Sequence, residues 1–120
     1  LARVAGAVRV AFASASPAVR YPTVYGIDMP AAHELIAHGR STEQIQEIIG
    51  ADWLIYQDLD DLRTAAKEGN PDLSAYEDSV FSGKYITGDV STSYLDDLEA
   101  ARNDAMKSER GVDDELEDEP

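Results

Sequence analysis

Residues 41–69 read as a helix, a strand and a second helix, each with its own start and stop signal. Ser41-Thr42-Glu43-Gln44 has the spacing of a capping box. Ile45, Ile48 and Ile49 then supply an i, i+3, i+4 apolar face, and Gly50 stands where a left-handed glycine closes a helix. Trp53-Leu54-Ile55-Tyr56 is a short aromatic and β-branched run, as in a buried strand. Asp58 caps the next helix, with Leu59, Leu62, Ala65 and Ala66 inward, Gly69 at its end and Asn70-Pro71 barring continuation. A strand held between two helices cannot join a sequence-adjacent strand through a tight hairpin. The pattern therefore predicts an α/β fold: a mostly parallel sheet flanked by helices.

The same alternation runs upstream. Leu1 to Gly6 resembles the last turn and a half of a helix, and Val8 to Ala13 a buried strand, broken by Ser14-Ala15-Ser16-Pro17. Thr23 to Ile27 predicts a second strand. Pro30 predicts the first turn of a helix carrying Ala31, Ala32, Leu35 and Ile36 inward and ending at Gly39. Residues 72–90 read as irregular with a turn at Ser82-Gly83, followed by a helix over 93–108 capped by Ser91 or Thr92, with Tyr94, Leu98, Ala101 and Ala105 on one face. Three strands make a thin sheet. The first residue is Leu, and the opening half of a βαβ unit lacks its leading strand. These features lead to the expectation of a C-terminal piece of a larger α/β protein, its sheet edge open.

Charge and cysteine content exclude several chemistries. The chain has 120 residues with 10 Lys+Arg against 24 Asp+Glu, a formal net charge of −14, and no cysteine. Disulfides, thiolate metal sites and a thiol nucleophile are ruled out within it. Such acidity argues against binding nucleic acid or an anionic membrane surface. The longest stretch without charge near the start, Val10 to Val19, is too short to span a bilayer, and no signal peptide is recognisable. Cytoplasmic localisation is the default expectation. Residues 111–120 hold six acids, no base, and only one Leu and one Val, and read as a disordered acidic tail after a folded part at 1–110.

Few residues invite a catalytic reading. His33 and His38 lie five apart, so on a helix their rings would point about 140° apart rather than share a metal-binding face. Asp60/Asp61 and Asp96/Asp97 are consecutive and cannot converge on a helix. No catalytic or metal-ligating set is therefore assigned. Ligands in open parallel sheets sit beyond the carboxyl ends of strands. By position, the loops after the two upstream strands are the ligand-wall candidates: Ser14 and Ser16 in one, Asp28, Met29 and Pro30 in the other. In Phe81-Ser82-Gly83-Lys84-Tyr85 the aromatics read as anchors for an irregular segment, and Lys84 is an open phosphate contact.

An ordered set of segments carries a family resemblance. Tyr25-Gly26-Ile27-Asp28-Met29-Pro30, Glu34-Leu35-Ile36-Ala37-His38-Gly39-Arg40, Ile48-Ile49-Gly50-Ala51-Asp52 and Ser79-Val80-Phe81-Ser82-Gly83-Lys84-Tyr85-Ile86-Thr87 resemble the C-terminal end of the amidophosphoribosyltransferases, in one register from residue 1 to about Asp104. The resemblance implies a phosphoribosyltransferase-type sheet. It also implies the first committed step of purine synthesis, in which glutamine-derived ammonia displaces pyrophosphate from phosphoribosyl pyrophosphate to give 5-phosphoribosylamine.

That chemistry needs a glutaminase cysteine, an adjacent acid pair before a phosphate loop, and Mg2+. None of the corresponding protein groups lies in this sequence, so the fragment alone is expected to be inactive. Some relatives ligate a [4Fe–4S] cluster through cysteines whose matching positions here are Thr23, Glu77 and Val80, which implies the cluster-free branch. Such relatives bind inhibitory purine nucleotides, and the Asp28-Met29-Pro30 loop matches a segment lying against that nucleotide. The family also implies a homo-oligomer. The alternative is a stand-alone module that binds a nucleotide or a protein without catalysis, which would have a self-contained core.

Overall fold

A computed structural model describes residues 1–27 and 29–103. The chain divides into two units, residues 1–86 and 87–120. In the first, strands β1 (Ala11–Ser14) and β2 (Trp53–Tyr56) pair in parallel, with Ala11 beside Trp53 and Ser14 beside Tyr56. The connection between them contains a single 3-10 turn (Ala32–Glu34) and helix α1 (Thr42–Ile49). Helices α2 (Leu59–Gly69) and the one-turn α3 (Ser79–Ser82) follow. In the second unit, residues 92–103 are helical, and Ser91 caps them: its Oγ accepts from the Tyr94 N–H at 3.1 Å. The acidic segment 111–120 and the end of that helix lie outside the described residues.

Pairing begins just before β1. The Asp52 N–H donates to the Val10 carbonyl at 2.8 Å, and the Val10 N–H donates to Asp52 Oδ2 at 2.7 Å. Arg3 donates to the same Oδ2 at 2.8 Å and through Nε and Nη2 to the Gly50 carbonyl, both at 3.1 Å. One carboxylate thus ties the chain start, the entry to β1 and the entry to β2 together. The Val10 N–H and then Arg3 hold the Asp52 carboxyl below the usual carboxylate range.

The predicted helix signals that survive are the capped ones. In α1, Gln44 N–H donates to Ser41 Oγ at 3.3 Å and Ser41 N–H donates to Gln44 Oε1 at 2.8 Å, the reciprocal capping box. At its far end Gly50 has φ +67°, its N–H reaches the Glu47 carbonyl, and the Ala51 N–H reaches the Gln46 carbonyl, a Schellman close that the left-handed glycine permits. Leu1 to Ala7 ends the same way: Gly6 N–H bonds Arg3 O and Ala7 N–H bonds Ala2 O. Asp58 caps α2 by accepting from the Asp60 and Asp61 N–H groups at 2.8 and 3.1 Å.

Three expectations are corrected. Thr23 to Ile27 forms no strand. The Tyr25 N–H turns back to Thr23 Oγ1, and Gly26 has a φ of +83°, which breaks an extended run. The segment after Pro30 is one 3-10 turn rather than an α-helix: the Glu34 carboxylate caps its start by accepting from the Ala31 N–H at 2.9 Å, but Leu35 is already extended (φ −73°, ψ +121°), so the chain leaves the helical region after one turn. The strand read over Val8 to Ala13 begins at Ala11, and its apolar residues are largely in solvent: Val8 is 89% and Phe12 53% exposed.

The core is small. Ala18, Ala37, Ile45 and Leu54 form it, with half-buried Tyr56 packed against them. By register, Leu54 and Tyr56 share a sheet face with Phe12 and Ser14, and α1 packs against β2. The opposite face carries Ala11, Ala13, Trp53 and Ile55, with Trp53 53% and Ile55 43% exposed. Two large side chains beside two alanines make an apolar surface that no described element covers.

Two outcomes test this packing. Ser41→Ala should lower the unfolding free energy by about 1 kcal/mol in chemical denaturation, the usual worth of such a cap. The single tryptophan, Trp53, should emit near the wavelength of indole in water and be quenched freely by acrylamide in the 120-residue chain. A blue-shifted, shielded emission would mean that this sheet face is covered.

Candidate functional site

The two strands end side by side, the Gln57 N–H donating to the Ser14 carbonyl at 3.1 Å just past the last paired residues. Ser14, half-buried, closes β1. Its Oγ donates to the Ser16 carbonyl at 2.8 Å and accepts from the Ser16 N–H at 3.2 Å. Ser16 Oγ donates to the Pro17 carbonyl at 2.9 Å, and Pro17 and Ala18 beyond it are buried. The two serines are brought together, but each hydroxyl proton is already committed to a carbonyl of the turn. Their remaining acceptor capacity, rather than donation, is what a ligand would meet.

The segment leading to the second candidate loop is fixed at residues 20–22. The Val80 carbonyl accepts from the Arg20 and Tyr21 N–H groups at 2.8 and 3.1 Å, and Tyr85 Oη donates to the Pro22 carbonyl at 2.7 Å. Burial, together with the neighbouring Tyr25, Glu77 and Tyr21, raises the Tyr85 phenol above its ordinary range. Tyr25 and Tyr85 meet edge to face at 6.3 Å. Gly83 approaches the Tyr21 ring so closely that a Cβ there would lie 2.9 Å from its Cζ. Met29, half-buried, and Pro30, exposed, follow this braced segment and lead into the 3-10 turn, whereas Asp28 lies outside the described residues. Arg20 orders the far side: its Nη1 donates to the Ala37 and Arg40 carbonyls at 2.6 Å each, and its own carbonyl bonds His38 Nδ1 at 2.7 Å.

His38 is thereby occupied with backbone and the Tyr21 ring. Among the described residues, no group of three or more His, Cys, Asp or Glu is placed to hold a metal ion.

The most strongly organised charged group escaped the sequence reading. Arg63, on α2, donates through Nε to Asp78 Oδ2 at 2.7 Å, with Nη2 at 2.6 Å from the same oxygen, and through Nη1 to Asp60 Oδ1 at 2.8 Å. Ser82 Oγ donates to Asp78 Oδ1 at 2.7 Å. The Asp78 side chain is only 13% exposed. Burial pushes its carboxyl up, but the Ser82 hydroxyl, the Arg63 pair and the field of Lys84 outweigh this and hold it below the ordinary value. Only the Asp60/Arg63 spacing of i, i+3 hinted at the group in sequence; Asp78 lies fifteen residues from Arg63.

Two parallel strands with a long connection and a helix on one face define an α/β unit of the class that carries ligands at strand carboxyl ends. No family model matches the chain. It is 59% identical over 108 residues to the amidophosphoribosyltransferase of Pseudomonas aeruginosa, covering 90% of this chain and 22% of that protein. The Escherichia coli amidophosphoribosyltransferase is 56% identical over 90% of the chain and 21% of its own length, and that of Saccharomyces cerevisiae 43% identical over 85% and 19%. The chain belongs to the amidophosphoribosyltransferase family and spans about a fifth of the length of these relatives.

The depressed Asp78 carboxyl has a defined pH consequence. Its folded-state pKa lies below the unfolded value of about 3.9, so the stability it contributes is present above about pH 4 and lost as pH falls through the folded pKa. Asp78→Asn should cost about 1–2 kcal/mol at pH 7, discounted for the partial exposure of Arg63. It should also flatten the fall in stability below about pH 4, followed by urea denaturation across pH.

Proposed function

We propose that this chain forms the C-terminal part of the phosphoribosyltransferase domain of an amidophosphoribosyltransferase. In the complete enzyme, ammonia from glutamine attacks C1 of phosphoribosyl pyrophosphate and expels pyrophosphate, giving 5-phosphoribosylamine and committing the substrate to purine synthesis. The observation that carries this reading is the 59% identity sustained over nine-tenths of the chain. The chain's own share is positional. It supplies the sheet's flank, the turn beyond the end of β1 and the loop at 28–30, while the glutaminase nucleophile and the phosphate-cradling loop lie elsewhere. In support, the sequence holds no cysteine and no adjacent acid pair leading into a glycine-rich phosphate loop.

Within that enzyme, Ser14 and Ser16 border the phosphoribosyl site, and Asp28, Met29 and Pro30 border an inhibitory purine nucleotide. The bracing of residues 20–22 by Val80 and Tyr85 suits a loop that must keep its position when a ligand binds. Mg2+ is held with the substrate pyrophosphate by groups outside these 120 residues. An iron–sulfur cluster does not fit the positions that would ligate it. Thr23 and Val80 offer no thiolate, and the Glu77 carboxylate accepts from both the N–H and the hydroxyl of Ser79. The enzyme works in the cytoplasm as a homo-oligomer. Among the described residues, no helix is long and apolar enough to cross a membrane.

Two measurements test this. The complete polypeptide should release pyrophosphate from phosphoribosyl pyrophosphate in the presence of glutamine or ammonia, and the 120-residue chain should release none. Turnover by the short chain alone would refute the division of labour. In the complete enzyme, Pro30→Trp should place an indole in the nucleotide loop and weaken purine nucleotide inhibition by at least tenfold in inhibition assays, with activity in the absence of nucleotide retained. Unchanged inhibition would remove the loop from that site.

A further inference from the structure

Helix α2 and the segment 73–86 enclose an open cleft of about 470 Å3, within the range of small-molecule sites. Its lining is unusual for this molecule. The chain has 10 bases against 24 acids, yet Arg63, Lys67 and Lys84 all line this one cleft, and Asp78 is the only carboxylate in its wall. Asp78 is already bound by Arg63 and Ser82. That leaves Lys67 and Lys84, which pair with no carboxylate among the described residues. Although the field of Lys84 reaches Asp78, the wall still holds three cations against one carboxylate, and in so acidic a chain this makes a local positive field. The Arg63–Asp78 pair ties α2, which carries Lys67, to the segment that carries Lys84. Leu73 and Ile86 add apolar surface, and Tyr76, also in the wall, has a buried hydroxyl that makes no hydrogen bond to the protein.

We propose that this cleft binds a small phosphate monoester, its dianionic phosphate between Lys67 and Lys84 and its apolar portion against Leu73 and Ile86. Two ammonium groups match the charge of a phosphate monoester near neutral pH, and each supplies several donors to its oxygens. The site is separate from the Ser14–Ser16 turn and from the Met29–Pro30 loop. It does not depend on the reaction proposed above.

Phenyl phosphate and inorganic phosphate serve as probes, titrated calorimetrically into the intact polypeptide that carries this segment. Phenyl phosphate should bind saturably and more tightly than inorganic phosphate, with affinity falling as sodium chloride is raised. Lys67→Gln and Lys84→Gln should each weaken it about tenfold, as loss of a charge-assisted hydrogen bond does, and the double variant should abolish binding. Neither lysine makes an ion pair that holds the fold, so the variants should keep the wild-type near-ultraviolet circular dichroism. The proposal is overturned by absence of saturable binding, or by full affinity in the double variant, which would place the ligand at another site. Equal affinity for the two probes would overturn the role given to the apolar wall.

Discussion

The parallel pairing of β1 with β2 is the constraint from which the rest of the first unit follows. Parallel neighbours cannot be joined by a two-residue turn, so the chain must travel back along the sheet before β2 can start. Residues 15–52 make that journey, and three of the four core-cluster residues belong to it: Ala18, Ala37 and Ile45, meeting Leu54 of β2. Asp52 settles the register. Its backbone N–H and its carboxylate grip Val10 from both sides, so a slip by one residue would break two hydrogen bonds and turn Leu54 out of the core.

What could be read from sequence was local chemistry, and what could not was long-range closure. The capping box at Ser41, the glycine closes at Gly6 and Gly50, the cap at Asp58 and the strand Trp53–Tyr56 all depend on residues within a few positions of one another. The segment Thr23–Ile27 has strand-like composition, but a strand needs a partner. The backbone just before it, residues 20–22, is fastened instead to Val80 and Tyr85, more than fifty residues away, and Gly26 is in a left-handed conformation. Pro30 and the small residues after it permit a helix. Glu34 even caps the Ala31 N–H, but Leu35 is extended and the chain leaves the helical region after one turn.

The candidate sites divide in the same way. Placing Ser14 and Ser16 beyond a strand end needed only the strand, and they do meet there in one turn. The Arg63–Asp78–Ser82 group needed knowledge of how α2 and α3 approach, which no spacing rule conveys. Exposure was also misjudged for Val8 and Phe12. An apolar run signals burial only when the chain itself carries what buries it, and the face bearing Trp53 and Ile55 shows how much apolar surface is left to solvent.

The contact of Gly83 with the Tyr21 ring couples two distant positions. With an aromatic ring pressed on a left-handed backbone, a side chain at 83 would be strained, and its Cβ would have to push the tip of the Tyr21 ring aside. Room at this turn is thus set by a residue far from it along the chain.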